Sequence, residues 1–169
     1  MRLALHELDA ARVKIAADAP REAFKMLARI SRIFEQLNNA WDVLRTMTPS
    51  EYTHFRGQLG QSSGFQSYQY REIEFVLGNR NPAMVRPHEH RPDLLERLTA
   101  ELARPTLYDE AIRLLTRSGI DIPERVIERD LTLPHAEDDD VVEAWRQVYA
   151  APERWWTQYE LAEQLVDVE

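Results

Sequence analysis

"REAFKMLARISRIFEQLNNAWDVLRTM", Arg21 to Met47, decides the fold class. Ala23, Leu27, Ile30, Phe34, Leu37, Trp41 and Leu44 step by 4, 3, 4, 3, 4 and 3, the period of one helix face. A second stripe of Met26, Ile33, Ala40 and Met47 lies beside it, so the apolar face is broad. A helix with so wide a face belongs inside a bundle. The stripe therefore predicts Trp41 as a buried ring and this helix as the centre of the core.

The flanking sequence carries the same period. Leu3, Leu5, Leu8, Arg12 and Ile15 keep a helical rhythm that "ADAP" breaks before Arg21. After Met47, "TPSEY" restarts the chain with Thr48 as N-cap, Pro49 in the first helical position and Glu51 three residues past the cap. Ser63 and Gln66 repeat that pattern and predict a helix running to a C-terminal stop at Gly78. "NRNPAMVRPHEHRP" holds three prolines in 14 residues and reads as a loop. Helical patterns resume over 93–103, 106–118, 123–129, 138–150 and 153–168, and no run reads as a strand. The expectation is a single all-α domain over residues 1–169.

Composition bounds the function. A net charge of −8 argues against nucleic acid as a partner, because phosphate contacts need a clustered basic surface. The absence of cysteine removes disulfides, thiolate metal sites and thiolate-ligated haem. No apolar run approaches about 18 residues, so no membrane span is expected. Glu7 and Asp9 interrupt the apolar N-terminal stretch and spoil it as a signal peptide, which makes the cytoplasm the expected compartment.

The polar joint between Ser50 and Gly78 holds the candidate chemistry. Tyr52 and Arg56, four apart, share a helix face, and a guanidinium fork beside a phenol can hold a carboxylate. The same spacing is the ordinary arrangement of a surface arginine packed on a neighbouring ring. Ser62, Ser63 and Gly64 can present donors to an anion at a helix start, or simply cap that helix. His88 and His90 sit in the proline-rich loop without a third ligand at recognisable spacing and read as solvated. His135 precedes "EDDD" and reads as part of a solvated helix start. Trp155, Trp156 and Tyr159 read as core.

"TPSEYTHFRGQLGQSSGFQSYQYREIEFVLGNRNP", Thr48 to Pro82, resembles the central signature of tryptophan 2,3-dioxygenases. "LARISRIFEQLNNAWDVLRTM" before it and "RWWTQYELAEQLVDVE" at the end are similar to the same family, so the resemblance covers nearly the whole chain. It implies an all-α, haem-dependent enzyme that inserts both atoms of O₂ across the indole C2–C3 bond of L-tryptophan, giving N-formylkynurenine in the kynurenine pathway. It implies a homotetramer. Tyr52 and Arg56 match the positions that contact the substrate carboxylate. Ser63 and Gly64 match a turn close to haem and substrate, and Trp41 matches an aromatic position lining the haem pocket. Gln66, Gln69 and Arg71 would support them, or neighbour the haem propionates.

The resemblance also implies what lies outside these residues. The family's distal histidine, with a nearby phenylalanine, falls in a motif before Met1. Its axial iron-ligating histidine follows the "VDVE" stretch, and its substrate-contacting glycine-rich loop comes later still. None of His6, His54, His88, His90 and His135 matches the axial position, so no metal ligand and no catalytic residue is assigned within the chain. The expected chain is part of a larger dioxygenase domain, inactive alone. The alternative is a non-catalytic, truncated helical paralogue that acts only as an association module, and the coding sequence on either side of this frame discriminates the two.

Overall fold

The structure is a computed structural model that describes every residue except Ser62, Gly64, Phe65 and Glu169. The described residues form nine α-helices and no strand: α1 (Arg2–Ala16), α2 (Pro20–Arg45), α3 (Pro49–Arg56), α4 (Tyr68–Leu77), α5 (Pro92–Leu102), α6 (Leu107–Arg117), α7 (Glu124–Ile127), α8 (Asp139–Ala150) and α9 (Trp156–Val166). The all-α expectation holds.

Local chemistry explains most helix ends. At α3, Thr48 Oγ1 accepts from the Glu51 N–H while Glu51 Oε2 accepts from the Thr48 N–H at 2.7 Å, a complete capping box. Thr106 and Asp109 close the same box at α6. α4 ends where Gly78 turns to a φ of 103°, with Asn79 N–H donating to Glu74 O and Gly78 N–H to Phe75 O. That is the left-handed reversal that glycine makes without a Cβ penalty.

The main core gathers Ala4, Leu8, Ala11 and Ile15 of α1, Ala23, Leu27 and Ile30 of α2, Ile73 and Val76 of α4, and Leu107, Ala111 and Leu114 of α6. Leu161 of α9 and Val168 complete it. A second cluster packs α6 against α7 and α8 through Leu115, Ile120, Ile122, Val126 and Val148, and a third joins Phe75 to Leu98 and Leu102 of α5. Buried charge pins the helices together. Arg12 Nη1 of α1 reaches Glu101 Oε1 of α5 at 2.5 Å and Pro105 O at 2.9 Å, while its Nη2 holds Asp9 at 2.6 Å. Arg80, also buried, donates to Phe75 O, Leu102 O and Leu131 O, so one cation faces the carbonyl ends of α4 and α5. Burial pushes its pKa down to about 10, against the opposing pull of Asp109 and Glu101.

Several sequence expectations need correction. Only the first half of α2 is core: Trp41 is 62% exposed, and no described residue from 31 to 70 is buried. Length is the reason. The 26 residues of α2 span roughly 39 Å, whereas its antiparallel partner α1, with 15, spans roughly 22 Å. The apolar stripe continues beyond the last helix able to cover it. The helix expected from Ser63 starts only at Tyr68, capped by Ser67, and the proline-rich loop contains a 3₁₀ helix, Pro82–His88. His88 is 1% exposed, not solvated, and burial, with His90 and Arg71 nearby, pushes its pKa down. His135 is not on a free surface either: its Nε2 lies 3.1 Å from Asp109 Oδ1 and its ring meets Tyr108 edge-on. Trp156, read as core, is exposed and stacks on Tyr159.

Candidate active-site wall

The second half of α2, α3 and the 3₁₀ turn Gly57–Leu59 form an exposed arm that holds no buried residue. α3 positions Tyr52 and Arg56 one turn apart, both exposed. Tyr52 meets Phe55 edge-on at 5.3 Å between centroids. Arg56 Nη1 donates to Gly60 O at 2.9 Å. Unlike Arg12, Arg29, Arg71 and Arg97, Arg56 has no carboxylate against it among the described residues. The side chain is thus tethered at one nitrogen to its own backbone, in a chain where most arginines serve ion pairs. Gly60 makes the tether possible by turning at φ 57°, ψ −129°, a conformation for glycine.

Past Gly60, Ser63 N–H donates to Gln66 Oε1 at 3.1 Å, and Gln66 N–H donates to Ser63 O at 3.0 Å. The two residues close a reciprocal clasp just before α4. Gly64, read with Ser63 as cofactor-facing, lies outside the described residues, as does Ser62.

Trp41 lies in a different place. It lines an open groove of about 820 Å³ between α2, α4 and the C-terminal residues, together with Phe34, Leu44, Tyr70, Ile73 and Leu77. The lining surface is mostly apolar, with Ser31, Glu35, Asn38, Asn39, Glu74 and Asp167 as polar members. Glu74 pairs with the buried Arg71 at 2.5 Å, and burial pushes its carboxyl up from the ordinary value against Arg71 and Asn79. Tyr70 and Glu74 were missed in the sequence reading. Tyr70, Ile73 and Leu77 stand at helical spacing, which was the available signal; nothing comparable singled out Glu74. Trp41 of α2 and Tyr70 of α4 line the same groove. The structure does not bring Tyr52, Arg56 or Ser63 into the same lining.

The groove's size falls within the roughly 300–1,000 Å³ usual for small-molecule sites, and its apolar walls suit a flat macrocycle such as haem. Its iron would need a donor from elsewhere, because none of the five histidines lines the groove. The described residues contain no cluster of three or more metal-ligating side chains. No helix among them is long and apolar enough to cross a membrane.

Comparison with known proteins gives these features a family. The profile of the tryptophan 2,3-dioxygenase family matches residues 1–169. The tryptophan 2,3-dioxygenase of Bradyrhizobium diazoefficiens is 63% identical over all 169 residues, which cover 61% of its length. That of Ruegeria sp. is 59% identical with the same coverage, and that of Bordetella pertussis is 56% identical, with 60% of its length covered. The chain spans about three fifths of the length of the curated relatives it matches. With the family profile matched from end to end and relatives this close, the chain belongs to the tryptophan 2,3-dioxygenase family.

Proposed function

We propose that this chain forms one wall of the active site of a haem-dependent tryptophan 2,3-dioxygenase, which oxidises L-tryptophan with O₂ to N-formylkynurenine. The observation that carries the reading is Arg56: an exposed guanidinium without an acidic partner among the described residues, one turn from the Tyr52 hydroxyl. In the reaction, Arg56 would bind the substrate carboxylate through two parallel bonds and Tyr52 would add a third, fixing the position of the indole. Trp41, Leu44 and Tyr70 would hold the face of the haem and keep water from it. Ser63 and Gly64 would form the turn at its edge. Activation of O₂ at iron is the chemistry that haem supplies when bound. No histidine of this chain is given the iron in this reading.

The same reading makes residues 1–169 one all-helical domain of a larger dioxygenase, working as a cytoplasmic homotetramer. The test is completion. The chain is joined to the flanking segments of the Bradyrhizobium diazoefficiens relative, loaded with haem and given tryptophan and O₂. Haem uptake and formation of N-formylkynurenine support the proposal. A folded chimera that takes up neither haem nor tryptophan would sink it and leave the association module, for which exposed Trp41, Val43 and Leu44 offer an apolar surface.

A further inference from the structure

We infer that the cleft between α1, α4 and α5 is a binding site for a small oxyanion, the phosphate or carboxylate group of a small molecule. The cleft holds about 510 Å³, within the roughly 300–1,000 Å³ usual for small-molecule sites. It shares no lining residue with the groove proposed for haem. α4 separates the two. Tyr68, Gln69, Glu72 and Val76 line the cleft, whereas Tyr70, Ile73, Glu74 and Leu77 line the groove. The inference therefore stands apart from the proposed function and uses none of the residues given to it there.

The charges in the lining choose the ligand. Four arginines and three carboxylates leave one positive charge, in a chain whose net charge is −8. Each carboxylate already has its cation. Buried Glu72 accepts from both Nε and Nη2 of Arg97, whose guanidinium also lies 5.4 Å from the centre of the Tyr68 ring. Glu101, also buried, holds Arg12 at 2.5 Å and Arg104 at 2.9 Å. Asp9 holds the same two arginines at 2.6 and 2.9 Å. A cationic ligand would thus find each carboxylate taken. What remains open are donors. The Arg2 guanidinium, the His6 imidazole and the Gln69 amide line the cleft, and none makes a side-chain hydrogen bond or ion pair among the described residues. Arg2 and His6 stand four apart on α1 and share a face, and Gln69 comes from α4. A guanidinium fork with two further donors matches the oxygens of a phosphate or a carboxylate. Arg12 with Glu101 ties α1 to α5, and Arg97 with Glu72 ties α5 to α4, so the walls are set before a ligand arrives.

Inorganic phosphate and succinate are the probes, titrated into the 169-residue chain and into the completed protein, with tetramethylammonium as the cationic control. At least one anion should bind with a dissociation constant on the order of 1 mM, while tetramethylammonium does not. The Gln69 side-chain amide should shift in NMR spectra as that anion is added. Binding of phosphate alone assigns the site to phosphate compounds, and binding of succinate alone to carboxylates. Arg2→Gln should weaken binding about tenfold or more, the loss of one charge-assisted pair, and Gln69→Leu about two- to tenfold. Neither should move the ligand-free unfolding midpoint, because neither side chain has a partner in the fold. Arg146→Gln removes the same charge from α8, outside the cleft, and should leave binding as in wild type. Failure of both anions to bind would overturn the inference, as would undiminished binding in Arg2→Gln or an equal loss in Arg146→Gln. Binding by the isolated chain that disappears in the completed protein would overturn it too, because the flanking segments would then fill the cleft. None of these readings uses haem or activity, so an inactive chimera would count against the proposed function alone.

Discussion

Replacing Trp41 and Leu27 by alanine, one at a time, separates the two halves of α2 energetically. A tryptophan carries up to about 250 Å² of surface, so with 62% exposed the covered part is roughly 95 Å². At about 25 cal/mol per Å², that burial is worth at most about 2.4 kcal/mol. Alanine keeps some of those contacts and the unfolded chain already buries part of the area, so Trp41→Ala should cost about 1–2 kcal/mol. Leu27 is 0% exposed and packed among Leu8, Ile30 and Leu161, where deletion to alanine leaves a cavity and costs about 2–5 kcal/mol. Urea unfolding followed by circular dichroism measures both, with the midpoint moving and the slope constant. The smaller residue should therefore be the more damaging one to remove. A cost of about 3–5 kcal/mol for Trp41→Ala, the range of a fully buried aromatic, would refute the reasoning and dock the arm onto the core.

Three further outcomes follow from the same structure. Arg12→Ala opens a buried gap and leaves Glu101 and Asp9 to the part-exposed Arg104 alone, so it should cost less than the roughly 3–5 kcal/mol of a fully uncompensated buried pair in urea unfolding, and Arg12→Met with Glu101→Leu should recover most of that loss. Asp109 sets an acid limb: burial alone would raise its carboxyl, but His135, Arg129 and Thr106 hold it far below the usual carboxylate range. Its folded pKa lies below its unfolded one, so its stabilisation is complete above about pH 4–5 and is lost as pH falls toward the folded value. Asp109→Asn should be less stable at pH 7 and should flatten the acid side of the stability–pH curve. The isolated 169-residue chain should bind haem weakly; a stoichiometric five-coordinate, histidine-ligated ferrous spectrum would give one of its five histidines the iron and contradict the account.

The sequence already shows the period of α2, the Thr48–Glu51 box and the Gly78 stop, because each is set by residues a few positions apart. Trp41's exposure is not legible in that way. Periodicity tells which face a helix offers, and whether a neighbour covers that face depends on the length of α1 and the positions of α4 and α9. His135 was misread for a related reason: Asp109 and Tyr108, which cover it in part, come from α6, well before it in the chain. At the candidate site, the pairing of Tyr52 with Arg56 on one helix face was readable from a spacing of four. The tether to Gly60 was not, since it needs the positive φ there. That Trp41 and Tyr70 line one groove depends on how α2 and α4 are placed in space, which no local spacing tells.

The central claim is that Arg56 holds the substrate carboxylate, and the direct measurement is kcat/KM of Arg56→Ala in the completed protein with tryptophan and with 3-methylindole. Losing a charge-assisted pair worth about 1.5–3 kcal/mol lowers kcat/KM for tryptophan roughly ten- to 150-fold. Arg56→Lys should recover only part of that, because an ammonium cannot reproduce the fork, and Tyr52→Phe should cost less, about 0.5–1.5 kcal/mol. Against 3-methylindole, wild type and Arg56→Ala should be nearly equal. An equal loss on both substrates would contradict the account, assigning Arg56 to the shape of the arm through Gly60 and leaving the carboxylate without its clamp.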